Sequence, residues 1–147
     1  MMFKRILLAT DGSPHAKEAL QYARELALRD DAQVIVVHAV PEAPSYVGEP
    51  LQGQLISQNM AEGKRVAGQA ADKLRKADVD VIVEVLAGPP ADAILQVADV
   101  RQPDLIVMGS RGQGDLTSLL LGSVSHRVLA HAHVPLMIVP AAVEKTG

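Results

Sequence analysis

Two short stretches carry residue types that could grip a small phosphorylated ligand. One is Thr10-Asp11-Gly12-Ser13; the other is Gly109-Ser110-Arg111-Gly112-Gln113-Gly114 with its sequel Gly122-Ser123-Val124-Ser125. Glycine has no Cβ, so its main chain can approach an anion closely. N–H groups at the start of a helix favour phosphate through hydrogen bonding and the helix dipole. Gly109, Gly112, Gly122 and Ser123 are disposed for that work, whereas Gly12 and Gly114 read as turn residues. Asp11 could accept hydroxyl protons from a ligand or simply close a turn. A P-loop needs Lys and then Ser or Thr after its last glycine, but Gly114 is followed by Asp115 and Leu116. A dinucleotide fingerprint needs Gly-x-Gly-x-x-Gly after the first strand, which the later Gly-x-x-Gly-x-Gly does not match.

The elements that must position these residues are legible from hydrophobic period. Phe3 to Ala9 is a nearly continuous apolar run, suited to a strand buried on both faces. Ser13 is placed to cap a helix whose first turn accepts Pro14, and Ala16, Ala19, Leu20, Ala23, Leu26 and Ala27 recur at helical spacing. Gln33 to Val40 is a second buried strand, giving a βαβ unit. Prolines and glycines mark Pro41 to Gly53 as a loop, and a helix with two weakening glycines, Gly63 and Gly68, runs from about Gln54 to Lys76. Val79 to Ala87 alternates like an edge strand. A short helix over Ala91 to Ala98, a buried strand over Asp104 to Met108, a helix over Leu119 to Ala132 and a strand over Val134 to Val139 follow. The order β-α-β-α-β-α-β-α-β predicts a single α/β domain over residues 1–147, a parallel sheet with helices on both faces. In such sheets ligands bind outside the carboxyl ends of the strands, where both candidate stretches fall.

Composition narrows the function. Aromatics make up only 2% of the 147 residues and the net charge is -3, so the stacking platforms and basic groove that grip nucleic acid are missing. There is no cysteine, hence no thiol catalysis or thiolate metal site. No apolar run reaches the roughly 18 residues of a membrane span, and no export signal is visible, which predicts a cytoplasmic location. His15, His38, His126, His131 and His133 show no ligand spacing with carboxylates. His38, inside a strand, is expected to be hydrogen-bonded in the core or near the pocket. Arg127 reads as part of a solvated face, and Met60, Met108 and Met137 as packing residues. A receiver domain would need clustered acids after the first and third strands and a lysine after the last, which Ala87-Gly88-Pro89 and Val139-Pro140 do not supply.

The pattern Gly109-x-x-Gly112, nine residues, then Gly122-Ser123 resembles the nucleotide motif of the universal stress protein family. Residues 6–13, Val36-Val37-His38-Ala39-Val40, residues 105–112 and Val134-Pro135-Leu136-Met137-Ile138-Val139 are similar to that family's strands, so the resemblance covers essentially the whole chain. It implies a Rossmann-like five-stranded sheet of order 3-2-1-4-5, with its switch point between the first and fourth strands. It implies an adenine nucleotide, ATP with or without Mg²⁺. Asp11, together with Ala9 and Thr10 just before it, would meet the ribose, the backbone of Ala39 the adenine edge, and Met108 and Gly109 the base and sugar. The backbones of Gly112, Ser123 and Val124, with the Ser123 hydroxyl, would receive phosphates, Gly122 permitting the approach and Ser125 in reach.

Arg111 is the one fixed positive charge of the loop, since residues 113–121 hold Asp115 and no Lys or Arg. The expectation is therefore an ATP-binding regulatory protein of stress response with little or no catalysis. The alternatives are an ATP-independent dimeric interaction protein and a slow ATP hydrolase or phosphotransferase. The resemblance also implies a homodimer formed through Val134 to Val139, which would hide an apolar sheet edge. A further protein partner would read the ligand-bound surface.

Overall fold

The computed structural model describes residues 2–110 and 122–140. Five strands, β1 (Arg5–Ala9), β2 (Gln33–Val40), β3 (Val81–Ala87), β4 (Leu105–Gly109) and β5 (Leu136–Val139), form one sheet in the order β3-β2-β1-β4-β5. Every pairing is parallel. The helices are α1 (Pro14–Asp30), α2 (Leu51–Lys76), α3 (Pro90–Arg101) and α4 (Ser123–His131). The expected fold class and strand order are therefore both present, with β3 at the edge its alternation predicts.

Side chains alternate across each strand, and the two faces take different helices. Ile6, Leu8, Val34, Val36 and Val107 pack with α1 and α2, through Ala19, Leu20, Ala23, Ala67, Ala71 and Leu74. Leu7, Ile35, Val37, Ile106 and Met108 pack with α3 and α4, through Ala91, Ile94, Val97 and Val128. Alanine-lined helix faces let the axes approach the sheet closely, which is how a core can close without aromatic filler. No described helix is long and apolar enough to cross a membrane.

Boundaries differ from the sequence reading in places with physical causes. Residues 51–53 belong to α2, because Gln52 N–H reaches Gly48 O at 2.9 Å and Gln54 N–H reaches Pro50 O at 3.2 Å, starting the helix early. The loop proper is thus residues 41–50, with a 3₁₀ turn at Ser45–Val47. Ser13 occupies the N-cap of α1 and Pro14 the first turn, but the Ser13 hydroxyl makes no capping bond and is buried without a partner among the described residues. Asp104 precedes β4 instead of opening it, since its carboxylate accepts the N–H groups of Lys4 (2.6 Å) and Arg5 (2.9 Å). Arg127 lies on an exposed face, as expected, and pairs there with Asp92 of α3 at 2.9 Å.

Asp104 has a counterpart on the other side of the first strand. Asp30, its side chain 4% exposed, accepts Phe3 N–H at 2.9 Å and pairs with Arg29. The Arg29 hydrogen bond, and after it the Phe3 N–H, hold the Asp30 carboxyl down at about 2. The Arg5 and Lys4 amides lower that of Asp104. Carboxyls held below their unfolded range contribute fully above about pH 4, and that contribution drains away as pH falls towards 2. Asp30→Asn should lower stability at pH 7 and flatten the acid limb between pH 4 and 2, read by urea unfolding across that range. An acid limb identical to wild type would refute the clamp.

Candidate functional site

The chain winds outward from β1 to β2 and β3, then crosses back to β4 and β5, so the winding reverses between β1 and β4. Leu8 pairs with Val107, which sets Ala9-Thr10 beside Met108-Gly109 at the carboxyl ends. Ala9 also pairs with Val37, bringing the end of β2 with Ala39 alongside.

The turn after β1 is tied down at each residue. Thr10 N–H donates to Val37 O at 2.9 Å, and the Thr10 carbonyl meets His38 Nδ1 at 2.8 Å. Gly12 N–H donates to Thr10 Oγ1 at 3.3 Å, and Ser13 N–H to Asp11 Oδ1 at 2.9 Å. The last bond makes an Asx turn, so Asp11 does perform the turn-closing role its type suggests. Gly12 has φ +77°, a left-handed conformation disfavoured for residues with a Cβ, and such a Cβ would lie 2.9 Å from Val66 Cγ1 of α2. No periodicity or motif announces that α2 abuts this turn.

Across the switch point, Ser110 N–H donates to Val139 O and Gly122 N–H to Ser110 O, both at 2.9 Å. The second bond returns the chain to β4 and aims the amino terminus of α4 at the carboxyl ends of the sheet. Gly122 is the N-cap of α4, with no side-chain capping bond among the described residues, and Ser123 is exposed. The Ser125 hydroxyl is buried, within donating distance of Gly109 O (3.2 Å) and Ser110 O (3.4 Å), where it locks α4 onto β4. Val124 and Met108 turn into the core between α4 and the sheet.

Of the residues expected to bind, Ala9, Thr10, Asp11, Ala39, Met108, Gly109, Gly122, Ser123, Val124 and Ser125 fall at the carboxyl ends or on the first turn of α4. Arg111 and Gly112 lie outside the described residues. Sequence reasoning missed Val66 and the part of α2 beside the turn. His38 was expected to be hydrogen-bonded, and it is. Among the described residues, no three His, Asp or Glu side chains gather as a metal cluster.

A doubly wound parallel sheet, with a glycine turn and a helix amino terminus meeting at its switch point, defines a Rossmann-like α/β protein. Residues 2–140 match the model of the universal stress protein family, and the chain belongs to that family. It is 42% identical over 138 residues to "Universal stress protein in QAH/OAS sulfhydrylase 3'region" of Thermus aquaticus, covering 94% of this chain and 99% of that one. It is similar in structure to the hypothetical protein MJ0577, with a TM-score of 0.88, 27% identity, and coverage of 98% and 100%. The same fold occurs in a universal stress protein in complex with cAMP, with a TM-score of 0.74, 23% identity, and coverage of 97% and 100%. It occurs again in a universal stress protein family protein from Arabidopsis thaliana with AMP bound, with a TM-score of 0.73, 23% identity, and coverage of 98% and 95%.

Proposed function

We propose that this chain is a single-domain, cytoplasmic, ATP-binding regulatory protein with little or no catalysis. The observation that carries the reading is the meeting at the switch point of the Thr10-Asp11 turn, the end of β4 at Gly109 and the amino terminus of α4. Asp11 with Ala9 and Thr10 serves the ribose, and the Ala39 main chain the adenine edge. Met108 and Gly109 form the floor. Arg111, Gly112, Gly122, Ser123 and Val124 serve the phosphates, and Ser125 holds α4 in place for them. Proteins that share this fold, one with AMP and one with cAMP, support an adenine nucleotide as the ligand class. Mg²⁺, where present, would be held by the phosphates.

The regulatory reading rests on residues 113–121, which carry Asp115 and no Lys or Arg to meet transition-state charge. The loop 41–50, with Tyr46 exposed, adjoins the end of β2 and offers a surface that a partner can read when nucleotide is bound. β5 is a sheet edge, which supports a homodimer through residues 134–139.

Protein stripped of nucleotide by unfolding and refolding should bind Mg-ATP saturably in calorimetric titration. Gly122→Ala is a suitable probe, because φ -67° and ψ 163° are open to any residue, so the backbone can stay as it is while a methyl group is added on the proposed phosphate side. It should weaken ATP about tenfold, which is about 1.4 kcal/mol. A wild type that does not bind, or a variant indistinguishable from it, would overturn the reading.

A further inference from the structure

We propose that His38 is a positioning residue for the nucleotide: its Nδ1–H holds the Thr10 carbonyl and thereby fixes the peptide plane from which Asp11 is presented. The inference rests on the nucleotide reading above and assigns a role to a side chain that touches no ligand.

The backbone pairing of β1 with β2 ends at Ala9 and Val37. One further main-chain bond, Thr10 N–H to Val37 O, remains before the chain swings into the turn. The carbonyl on the other side of Thr10 is met by a side chain, His38 Nδ1 at 2.8 Å. A carbonyl oxygen can only accept, so Nδ1 carries the proton. Both sides of Thr10 are thus tied to β2, one by main chain and one by imidazole. Rotation of the Thr10-Asp11 peptide is blocked just before the residue that must face the ribose.

The imidazole is held in turn. Strand alternation sends Val37 towards α3 and His38 towards α2, where a Cβ on Gly63 would lie 3.5 Å from His38 Cδ2. The ring thus lies at van der Waals distance from the Gly63 position, and the space a side chain would need there is filled by Val40 and Val85. Glu62, the residue before it, is held below the usual carboxylate range first by its hydrogen bond from Arg65, with a smaller electrostatic contribution from His38. His38 stands between the turn of β1 and α2, the helix whose Val66 also abuts Gly12. A half-buried imidazole in a strand flanked by Val36, Val37 and Val40 is costly unless it is hydrogen-bonded, and here that bond ends on the ligand-bearing turn.

The test compares His38→Ala, His38→Asn and His38→Gln in calorimetric titrations with Mg-ATP and with inorganic tripolyphosphate. An asparagine amide nitrogen falls near the place of Nδ1, and a glutamine amide nitrogen near that of Nε2. His38→Ala and His38→Gln should lose about tenfold in ATP affinity. His38→Asn should stay within about threefold of wild type, and tripolyphosphate affinity should be the same in all four proteins. Unchanged ATP affinity in all three variants would overturn the role of His38 and leave the nucleotide reading standing. Equal losses for ATP and tripolyphosphate would make His38 a general structural residue and also overturn it. If wild type binds no nucleotide, the nucleotide reading falls and this role with it. In the wild-type protein, ¹⁵N spectra of the imidazole should show a protonated Nδ1; a neutral ring protonated at Nε2 would refute the proposed bond.

Discussion

Gly63→Val should lower the thermal unfolding midpoint by about 10 °C or more, an effect on the order of 3 kcal/mol. A Cβ at this position would overlap Val40 Cγ1 and sit 2.8 Å from Val85 Cγ1, and valine adds two further carbons. Those neighbours are strand side chains at the carboxyl ends of β2 and β3, wedged under α2, so they cannot swing aside as an exposed lysine could. The helix must lift, and lifting it also removes Val66 from Gly12 and loosens the wall behind His38. Loss of ATP affinity should therefore accompany the loss of stability. Gly68, on the same helix, is the internal control. Nothing lies within 4 Å of a Cβ there, so Gly68→Ala should raise stability by about 0.5–1 kcal/mol through helix propensity alone. If Gly63→Val melts like wild type, α2 does not approach the sheet as closely as described.

Gly63 also shows where sequence reasoning stops. A glycine inside a helical pattern reads as a weakness, because propensity is local and the close approach that rewards it is not. The strands were legible for the opposite reason: continuous Val, Ile and Leu runs such as Ile6-Leu7-Leu8 and Val34-Ile35-Val36-Val37 leave little choice but a sheet covered on both faces. Asp11, Gly109 and Gly122 were legible as candidates because strand ends are where such sheets bind ligands. The contact of α2 with the turn depends on a helix and a turn more than 50 residues apart in sequence, and no period records it. Ser13 is a related case. Its type and place announce an N-cap, yet the Ala16 N–H that the hydroxyl would cap donates to the Ser13 carbonyl at 3.1 Å, and the hydroxyl is left buried. Whether main chain or side chain takes such a donor is set by backbone angles that the sequence shows only indirectly.

Asp11→Ala should weaken Mg-ATP by about 10- to 100-fold, the range expected when a charged acceptor of hydrogen bonds is removed. The variant alone is ambiguous, because Asp11 Oδ1 also accepts Ser13 N–H and alanine abolishes that turn as well. Asp11→Asn separates the two roles. It keeps the Oδ1 acceptor and hence the Asx turn, while losing the negative charge. If the carboxylate receives ribose hydroxyls, Asp11→Asn should still lose several-fold in affinity while melting close to wild type. The sharper measurement changes the ligand: wild type should bind 2′,3′-dideoxy-ATP far more weakly than ATP, and Asp11→Ala should bind the two nearly alike. That coupling between side chain and hydroxyl cannot arise from a turn that merely holds its shape. Equal discrimination by both proteins would return Asp11 to a structural role and leave the phosphate end of the crevice to carry the nucleotide by itself.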